Sequence, residues 1–267
     1  LIDIVDAVLS RDQTLLTIIT SFGKIDTYSV LYNHLEPIST SFLPDIIPLV
    51  AVDVSSHFSM IVVASESYIA VVDLGTGFLL SKLHHSFDKV AFDETHESII
   101  ASSAETNEVS VFSLNLHFIC SAKYSLKNTM NFKKTKPKKD QQKQKDNEHL
   151  SCNEKKFLDE ITTIATSDSN NWDCTPYFVT GHRNGAVNIW HVDTTPSNEN
   201  LKLFTSEMYA NKNMSVNKEH IMTCKTLCMA ENPIDSIVIF SRGRALAYID
   251  RKGTVGVISI CMKNRSH

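Results

Sequence analysis

Few residues of this chain stand at a spacing that chemistry requires. His84 and His85 are adjacent after an apolar run, but a metal centre needs further ligands on neighbouring segments, and none is visible. Cys224 and Cys228 are the closest pair among the 6 cysteines, and no second pair or nearby histidine completes a zinc spacing. These thiols are expected to be buried apolar groups in a reducing compartment. Ser241-Arg242-Gly243-Arg244 places two arginines on either side of a glycine, where an anionic headgroup is conceivable. Asp250-Arg251-Lys252-Gly253 is explained by turn chemistry without any function. No G-x-S-x-G, P-loop, H-E-x-x-H or EF-hand pattern occurs, and no serine and histidine pair as nucleophile and base. The sequence therefore predicts no enzyme: no catalytic, cofactor-binding or metal-ligating residue is assigned, and no cofactor is expected.

The balance of charge narrows the partners. Over 267 residues the formal net charge is -4 and the pI is near 6.3, which predicts no overall attraction to nucleic acid or to an anionic membrane. One stretch runs against this average. Residues 126–157, KNTMNFKKTKPKKDQQKQKDNEHLSCNEKK at their centre, are lysine-rich and nearly free of apolar side chains, so they are expected to be disordered. They read either as a solvated loop or as a polybasic arm for anionic lipid or RNA. The lysines alternate with Gln, Asp and Glu and lack aromatic partners for stacking, which favours the loop. No apolar run reaches the length of a membrane span, and no signal peptide is visible. The first residue, Leu1, falls directly into strand-like sequence, and the chain is expected to continue a longer one.

The elements that would position any site are strands. Tyr177 to Val192, YFVTGHRNGAVNIWHV, reads as two strands joined by a tight turn at His182-Arg183-Asn184-Gly185, with Gly185 free to take positive φ. Beyond the turn, Val187 and Ile189 fall on one face and Asn188 and Trp190 on the other. The pattern echoes through the chain. Ile2 to Val30 holds IVDAVL, LLTIIT and KIDTYSV; Pro37, Pro44 and Pro48 then mark a looser connection with a brief edge strand over Ile38 to Phe42. Leu49 to Leu83 holds LVAVDV, SMIVVAS, YIAVVDL and FLLSKL. Phe87 to Ala122 holds VAFD, ESIIASS, EVSVFSL and HFICSA. Ile161 to Cys228 contains the hairpin, with MTCKTLC as its last strand. Ile234 onward gives DSIVIFS, RALAYID and TVGVISI. Starts near Ile2, Leu49, Phe87, Ile161 and Ile234 match a repeat of about 40 residues once two insertions, 126–157 and the Asn-rich 193–219, are set aside.

A hairpin ending in I-W, and VVDLGTGFLLS at the end of the second unit, resemble strands of WD40 propeller blades. The resemblance narrows to the C-terminal propeller of BEACH-domain proteins, the neurobeachin and lysosomal-trafficking-regulator type. It rests on LVAVDVSSHFSMIVVASESYIAVVDLGTGFLLS (49–81), NEVSVFSLNLHFICS (107–121) and 161–190, with a lengthened loop at Asp168 to Pro176 before the G-H-x-N-G hairpin. It implies an all-β propeller with about five blades present, part of a larger, seven-bladed ring: three blades in 1–125, two in 158–262, and a polar tail in 263–267. It also implies protein partners held by propeller surfaces, a cytoplasmic scaffold role in membrane trafficking, and peripheral association with intracellular membranes through the full-length protein. Nucleic acid is not an expected partner. The rivals are a WD40 scaffold of another complex, for instance in ribosome assembly with the lysine-rich arm on RNA, and a phosphoinositide-binding propeller. The latter carry adjacent arginines, whereas here Gly243 separates Arg242 from Arg244.

The resemblance assigns structural anchors to Trp190, Asp73, Gly77, Gly185, Phe112 and Tyr28. The Trp position of the third strand is filled by Tyr28, Val72, Phe112, Trp190 and Ile258; His191 follows Trp190 instead of Asp, and Asn184 stands where the turn usually has Asp. The buried Asp-His-Ser-Trp relay of such blades is thus expected to be missing or partial, with stability left to apolar packing. Trp190 is expected to pack against the neighbouring sheet as the largest single anchor between blades three and five, the alternative being an exposed binding hot spot. Val50, Val52, Ile61, Val63, Ile69, Val71, Ile99, Val109, Val111, Ile164, Val179, Val187, Ile189, Ile237, Ile239, Leu246 and Val255 form the expected core. With five blades, the outcome is an open arc or a ring with a gap, the fifth blade lacking a good fourth strand.

Overall fold

The computed structural model describes residues 3–31, 34–124, 160–167, 177–193, 221–240 and 245–260. Period-two alternation of β-branched and small residues makes every element a strand, and no helix occurs among the described residues. Five antiparallel sheets follow one another along the chain as a β-propeller. Blade one comprises β1 (Ile4–Leu9), β2 (Leu15–Thr20), β3 (Lys24–Leu31) and β4 (His34–Phe42). Blade two comprises β5 (Leu49–Ser55), β6 (Met60–Ser65), β7 (Tyr68–Asp73) and β8 (Leu79–His84). Blade three comprises β9 (Lys89–Asp93), β10 (Ser98–Ser103), β11 (Glu108–Ser113) and β12 (Phe118–Lys123). Blade four comprises β13 (Ile161–Thr166), β14 (Tyr177–His182), β15 (Ala186–Asp193) and β16 (Ile221–Met229). Blade five comprises β17 (Ile234–Phe240), β18 (Ala245–Asp250) and β19 (Val255–Ser259), with no fourth strand among the described residues. The first strand of each blade packs on the first strand of the next, from β1 through β5, β9 and β13 to β17, and among the described residues no packing of comparable extent joins blade five to blade one.

Turn chemistry fixes where each strand stops. The second-to-third strand turns of blades one, three, four and five each place a left-handed residue at the same point: Gly23, Asn107, Gly185 and Gly253, with φ of 82°, 51°, 85° and 81°. Three of them close by the same bond, Gly23 N to Thr20 O, Gly185 N to His182 O and Gly253 N to Asp250 O.

Four apolar clusters lie between consecutive blades, one per interface. Within the third strands, alternation decides the direction of each side chain. Ile69 and Val71 point to the following blade and Ala70 and Val72 to the preceding one; Val187 and Ile189 point to blade five, Ala186 and Trp190 to blade three. Of the expected core, Val50 and Ile164 are half-buried and Val255 is 64% exposed; the others are buried.

Several boundaries differ from expectation. The edge strand of blade one is longer than 38–42 and contains Pro37, which lies opposite Tyr28 where the register shifts. An edge strand absorbs a missing N–H at such a bulge. His84 belongs to β8 instead of following it, and blade three opens at Lys89, Phe87 being buried in the connection before it. Asp193 ends β15. The lysine-rich and Asn-rich insertions, the loop at 168–176, Ser241 to Arg244 and the tail at 263–267 lie outside the described residues.

Candidate functional site

Blade four holds a buried polar chain that the sequence did not lead one to expect. Thr180 and His182 are two apart on β14, so they share a face; Asn188 and Trp190 are two apart on the adjacent β15 and meet them there. The Trp190 indole N–H donates to Thr180 Oγ1 at 2.8 Å. Thr180 Oγ1 lies 2.8 Å from His182 Nε2, and Asn188 Nδ2 lies 2.8 Å from the same nitrogen. Thr226 Oγ1 on β16 donates to Asn188 Oδ1 at 2.7 Å. With Asn188 and the Thr180 hydroxyl as donors, Nε2 is the acceptor. All five side chains are buried, so each bond replaces water that the interior excludes. In place of an Asp-His-Ser-Trp relay, blade four joins Trp190, Thr180, His182, Asn188 and Thr226 across three of its own strands, so its stability is not left to apolar packing alone. The missed signal was the T-x-H and N-x-W spacing on facing strands.

Trp190 is fully buried and stacks on Phe178, ring centroids 5.9 Å apart and 6° from parallel. It packs with Ile100, Val109, Val111 and Cys120 of blade three. The contact with blade five belongs to Val179, Val187 and Ile189, which corrects the expectation that Trp190 lies between blades three and five. Phe112 is buried between blades two and three, edge-on to Phe87 at 5.7 Å and Phe118 at 6.0 Å. Tyr28 is half-buried on the face of blade one that no other blade covers among the described residues. Asp73 closes the turn after β7: its Oδ1 accepts from Thr76 N at 2.7 Å and Thr76 Oγ1 at 2.5 Å, and these bonds hold its carboxyl below the ordinary value. Gly77, at φ 73°, accepts from Ser41 Oγ at 2.7 Å and so fastens this turn to blade one. Gly185 leaves no space for a side chain beside the Ala230 carbonyl.

Along the axis, short polar side chains tie the innermost strands together. Asp6 Oδ2 accepts from Val52 N at 3.4 Å, Asp53 Oδ2 from Phe92 N at 2.7 Å, and Thr162 Oγ1 donates to Ile234 O at 2.6 Å. Arg11, in the first turn of blade one, reaches Phe92 O at 3.1 Å and Ser167 O at 3.3 Å, joining blade one to blades three and four. Burial raises the Asp53 carboxyl to about 6, against the opposing pull of the Phe92 and Val54 N–H groups and the Arg11 charge, with Glu94 adding to the rise.

The residues first weighed for chemistry are occupied otherwise. His84 meets Tyr68 edge-on, and His85 stacks on Phe87 at 4.4 Å. No group of three His, Cys, Asp or Glu side chains among the described residues is placed to hold a metal ion. Burial pushes the Cys120 thiol up to about 11 and raises that of Cys228, so neither is a ready nucleophile. Asp250 holds its turn through Oδ1 bonds from Lys252 N and Thr254 N.

The ends of the arc are different in kind. On blade five, Val238, Ala247 and Val257 are paired across the three strands, as are Ser236, Ile249 and Val255. Val238, Val255 and Val257 are 58%, 64% and 68% exposed. Blade one presents Leu9, Leu16 and Tyr28 in one such row and Ala7, Ile18 and Asp26 in the next. Apolar sheet faces of this size belong to interfaces. No protein-family model matches the chain, and a search of the curated proteins finds none that matches it. The five-bladed propeller is consistent with a WD40-type domain.

Proposed function

We propose that this chain is the WD40-type part of a BEACH-type protein and acts as a non-catalytic platform for protein partners in membrane trafficking. In this reading it works in the cytoplasm and rests on intracellular membranes through the full-length protein. The observation that carries the reading is the division of labour within each blade. Apolar side chains go to the interfaces between sheets, and the turns at both ends are held by local hydrogen bonds, leaving a rigid frame with two faces of loops. The segments 49–81, 107–121 and 161–190 that resemble the BEACH-type propeller fall on blade two, on the last two strands of blade three and on the first three of blade four.

The uncovered faces of blades one and five support a larger ring, seven-bladed in this reading, in which further blades cover them. Loss of the gene in its source cell is expected to give enlarged or mis-sorted lysosome-related vesicles. Normal vesicles in such cells refute the trafficking role. Imaging of the full-length protein is expected to show a seven-lobed ring, and a closed five-lobed ring refutes the larger propeller.

A further inference from the structure

One corner of blade one, at its outermost strand and adjoining turns, carries large apolar side chains that belong to none of the four clusters between blades. Phe22 stands at the tip of the β2–β3 turn, Phe42 ends β4, and Ile47 lies in the connection to blade two; they are 62%, 63% and 51% exposed. The backbone brings them together. Phe42 pairs with Lys24, two residues beyond Phe22. Leu43 N donates to Gly23 O at 2.9 Å, and Ile47 Cγ2 lies so close to Gly23 that a Cβ there would meet it at 2.9 Å. The platform beneath is rigid: Gly23 N donates to Thr20 O at 3.1 Å and Ile46 N to Leu43 O at 3.1 Å, while Leu43 and Ile46 are buried in the cluster between blades one and two. Pro44 and Pro48 are exposed beside them. Two phenylalanines and an isoleucine so exposed present on the order of 300 Å² of apolar surface, the size of a functional patch.

Charge says what kind of partner fits. Asp3, whose carbonyl accepts from Ser21 N, and Asp45 are exposed at the rim, and neither forms an ion pair among the described residues. The nearby cation, Lys24, is held by Asp26 at 2.5 Å. An apolar centre with an acidic rim repels an anionic membrane and suits a chain that brings an apolar anchor flanked by positive charge.

We infer that Phe22, Phe42 and Ile47 form a docking site for a protein segment carrying an aromatic or long aliphatic residue next to Arg or Lys. This rests on the reading of the propeller as a protein-interaction platform and names one of its surfaces. The test is selection of a random peptide library on the folded 267-residue chain, followed by fluorescence polarisation of the enriched peptides. The expected consensus is an aromatic or Leu/Ile anchor within a few residues of Arg or Lys. Phe22→Ser, Phe42→Ser and Ile47→Ser, all exposed positions, each weaken binding by tenfold or more, while Asp45→Asn weakens it a few-fold and flattens its salt dependence. Val238→Ser, on the uncovered face of blade five, leaves affinity unchanged.

Peptides that bind the three serine variants as tightly as the native chain overturn the site but leave the platform reading standing. Enrichment of no peptide, or of peptides without basic residues, also overturns it. Flotation with vesicles containing about one-third phosphatidylserine, lost in Phe22→Ser, would assign the patch to lipid and refute a protein occupant. A normal vesicle phenotype in cells lacking the gene, with peptide binding intact, would remove the trafficking role and not this site.

Discussion

Replacing Trp190 separates packing from hydrogen bonding in blade four. Trp190→Ala removes a fully buried indole that stacks on Phe178 and fills the interface with blade three, so a loss of about 3–5 kcal/mol is expected, the usual range for truncating a buried aromatic. Trp190→Phe keeps most of the packing and deletes the 2.8 Å bond to Thr180 Oγ1, at a cost of about 1–2 kcal/mol with the smaller ring included. Thr180→Val is the harsher polar change: it orphans the Trp190 N–H and takes a donor from His182 Nε2, so about 2–3 kcal/mol is expected. The Trp190–Thr180 pair should couple by about 1 kcal/mol in a double-mutant cycle. The assay is urea unfolding followed by circular dichroism, because Trp190 is itself one of the 2 tryptophans. A Trp190→Ala variant with an unchanged midpoint, or a cycle that closes with no coupling, would refute the relay as a source of stability.

Asp53 predicts an unusual pH response. Its carboxyl sits near 6 in the folded state against an ordinary 3.8, so the folded protein binds the proton more tightly than the unfolded chain. Its contribution to stability is therefore largest below the unfolded value and is lost as pH rises through 6; between pH 7 and pH 5 the native chain should gain about 1 kcal/mol relative to Asp53→Asn, measured by urea midpoints at both pH values. An equal pH response in both proteins would contradict this. Gly185→Ala and Gly253→Ala share a positive φ, but a Cβ at Gly185 meets the Ala230 carbonyl whereas one at Gly253 meets nothing within 4 Å. Gly253→Ala should cost about 1 kcal/mol and Gly185→Ala clearly more, as read from thermal midpoints. Val72→Trp, which brings blade two nearer to the WD40 pattern, should destabilise by about 1–3 kcal/mol because Leu15, Ile19 and Ile25 already fill that interface; a raised melting temperature would count against the packing described.

Strand number, order and pairing were legible because alternation and turn residues are local properties. LVAVDV and SMIVVAS state both their conformation and their faces without help from the rest of the chain. What alternation cannot state is whether a neighbour is present. Val255 and Val257 have the same phase in β19 as Val187 and Ile189 in β15, yet the latter meet blade five and the former meet no blade. Pro37 hid the first half of β4 because its tolerance depends on the strand being an edge, which is a tertiary fact. The relay of blade four was hidden for a related reason. Thr180 and His182 look like the end of an apolar run and the start of a turn, and their role appears only once β14 lies beside β15. The corner at Phe22, Phe42 and Ile47 carries no linear motif, since Phe22 lies on a turn apart from Phe42 and Ile47 and meets them only through the β3–β4 pairing.

The divergence of the blades from one pattern has a packing logic. In blades two, three and four the fifth position of the third strand faces the preceding blade, and its size is matched to what that blade offers. Trp190 meets Val109, Val111 and Cys120, side chains small enough to leave room for an indole. Phe112 meets the blade-two face that includes Ala51, Val62 and Ala64. Val72, much the smallest of the three, meets Leu15, Ile19 and Ile25. Protein interiors are closely filled, so the side chain at this position must match what the facing sheet leaves, and the indole goes with the leaner face. Once the indole is present its N–H must be satisfied, and blade four supplies the Thr180 hydroxyl at 2.8 Å, which lies 2.8 Å from the His182 imidazole, itself 2.8 Å from the Asn188 amide. The polar relay is thus a consequence of the large side chain that blade three's small residues require, and a blade that carries valine at this position has no indole N–H to satisfy.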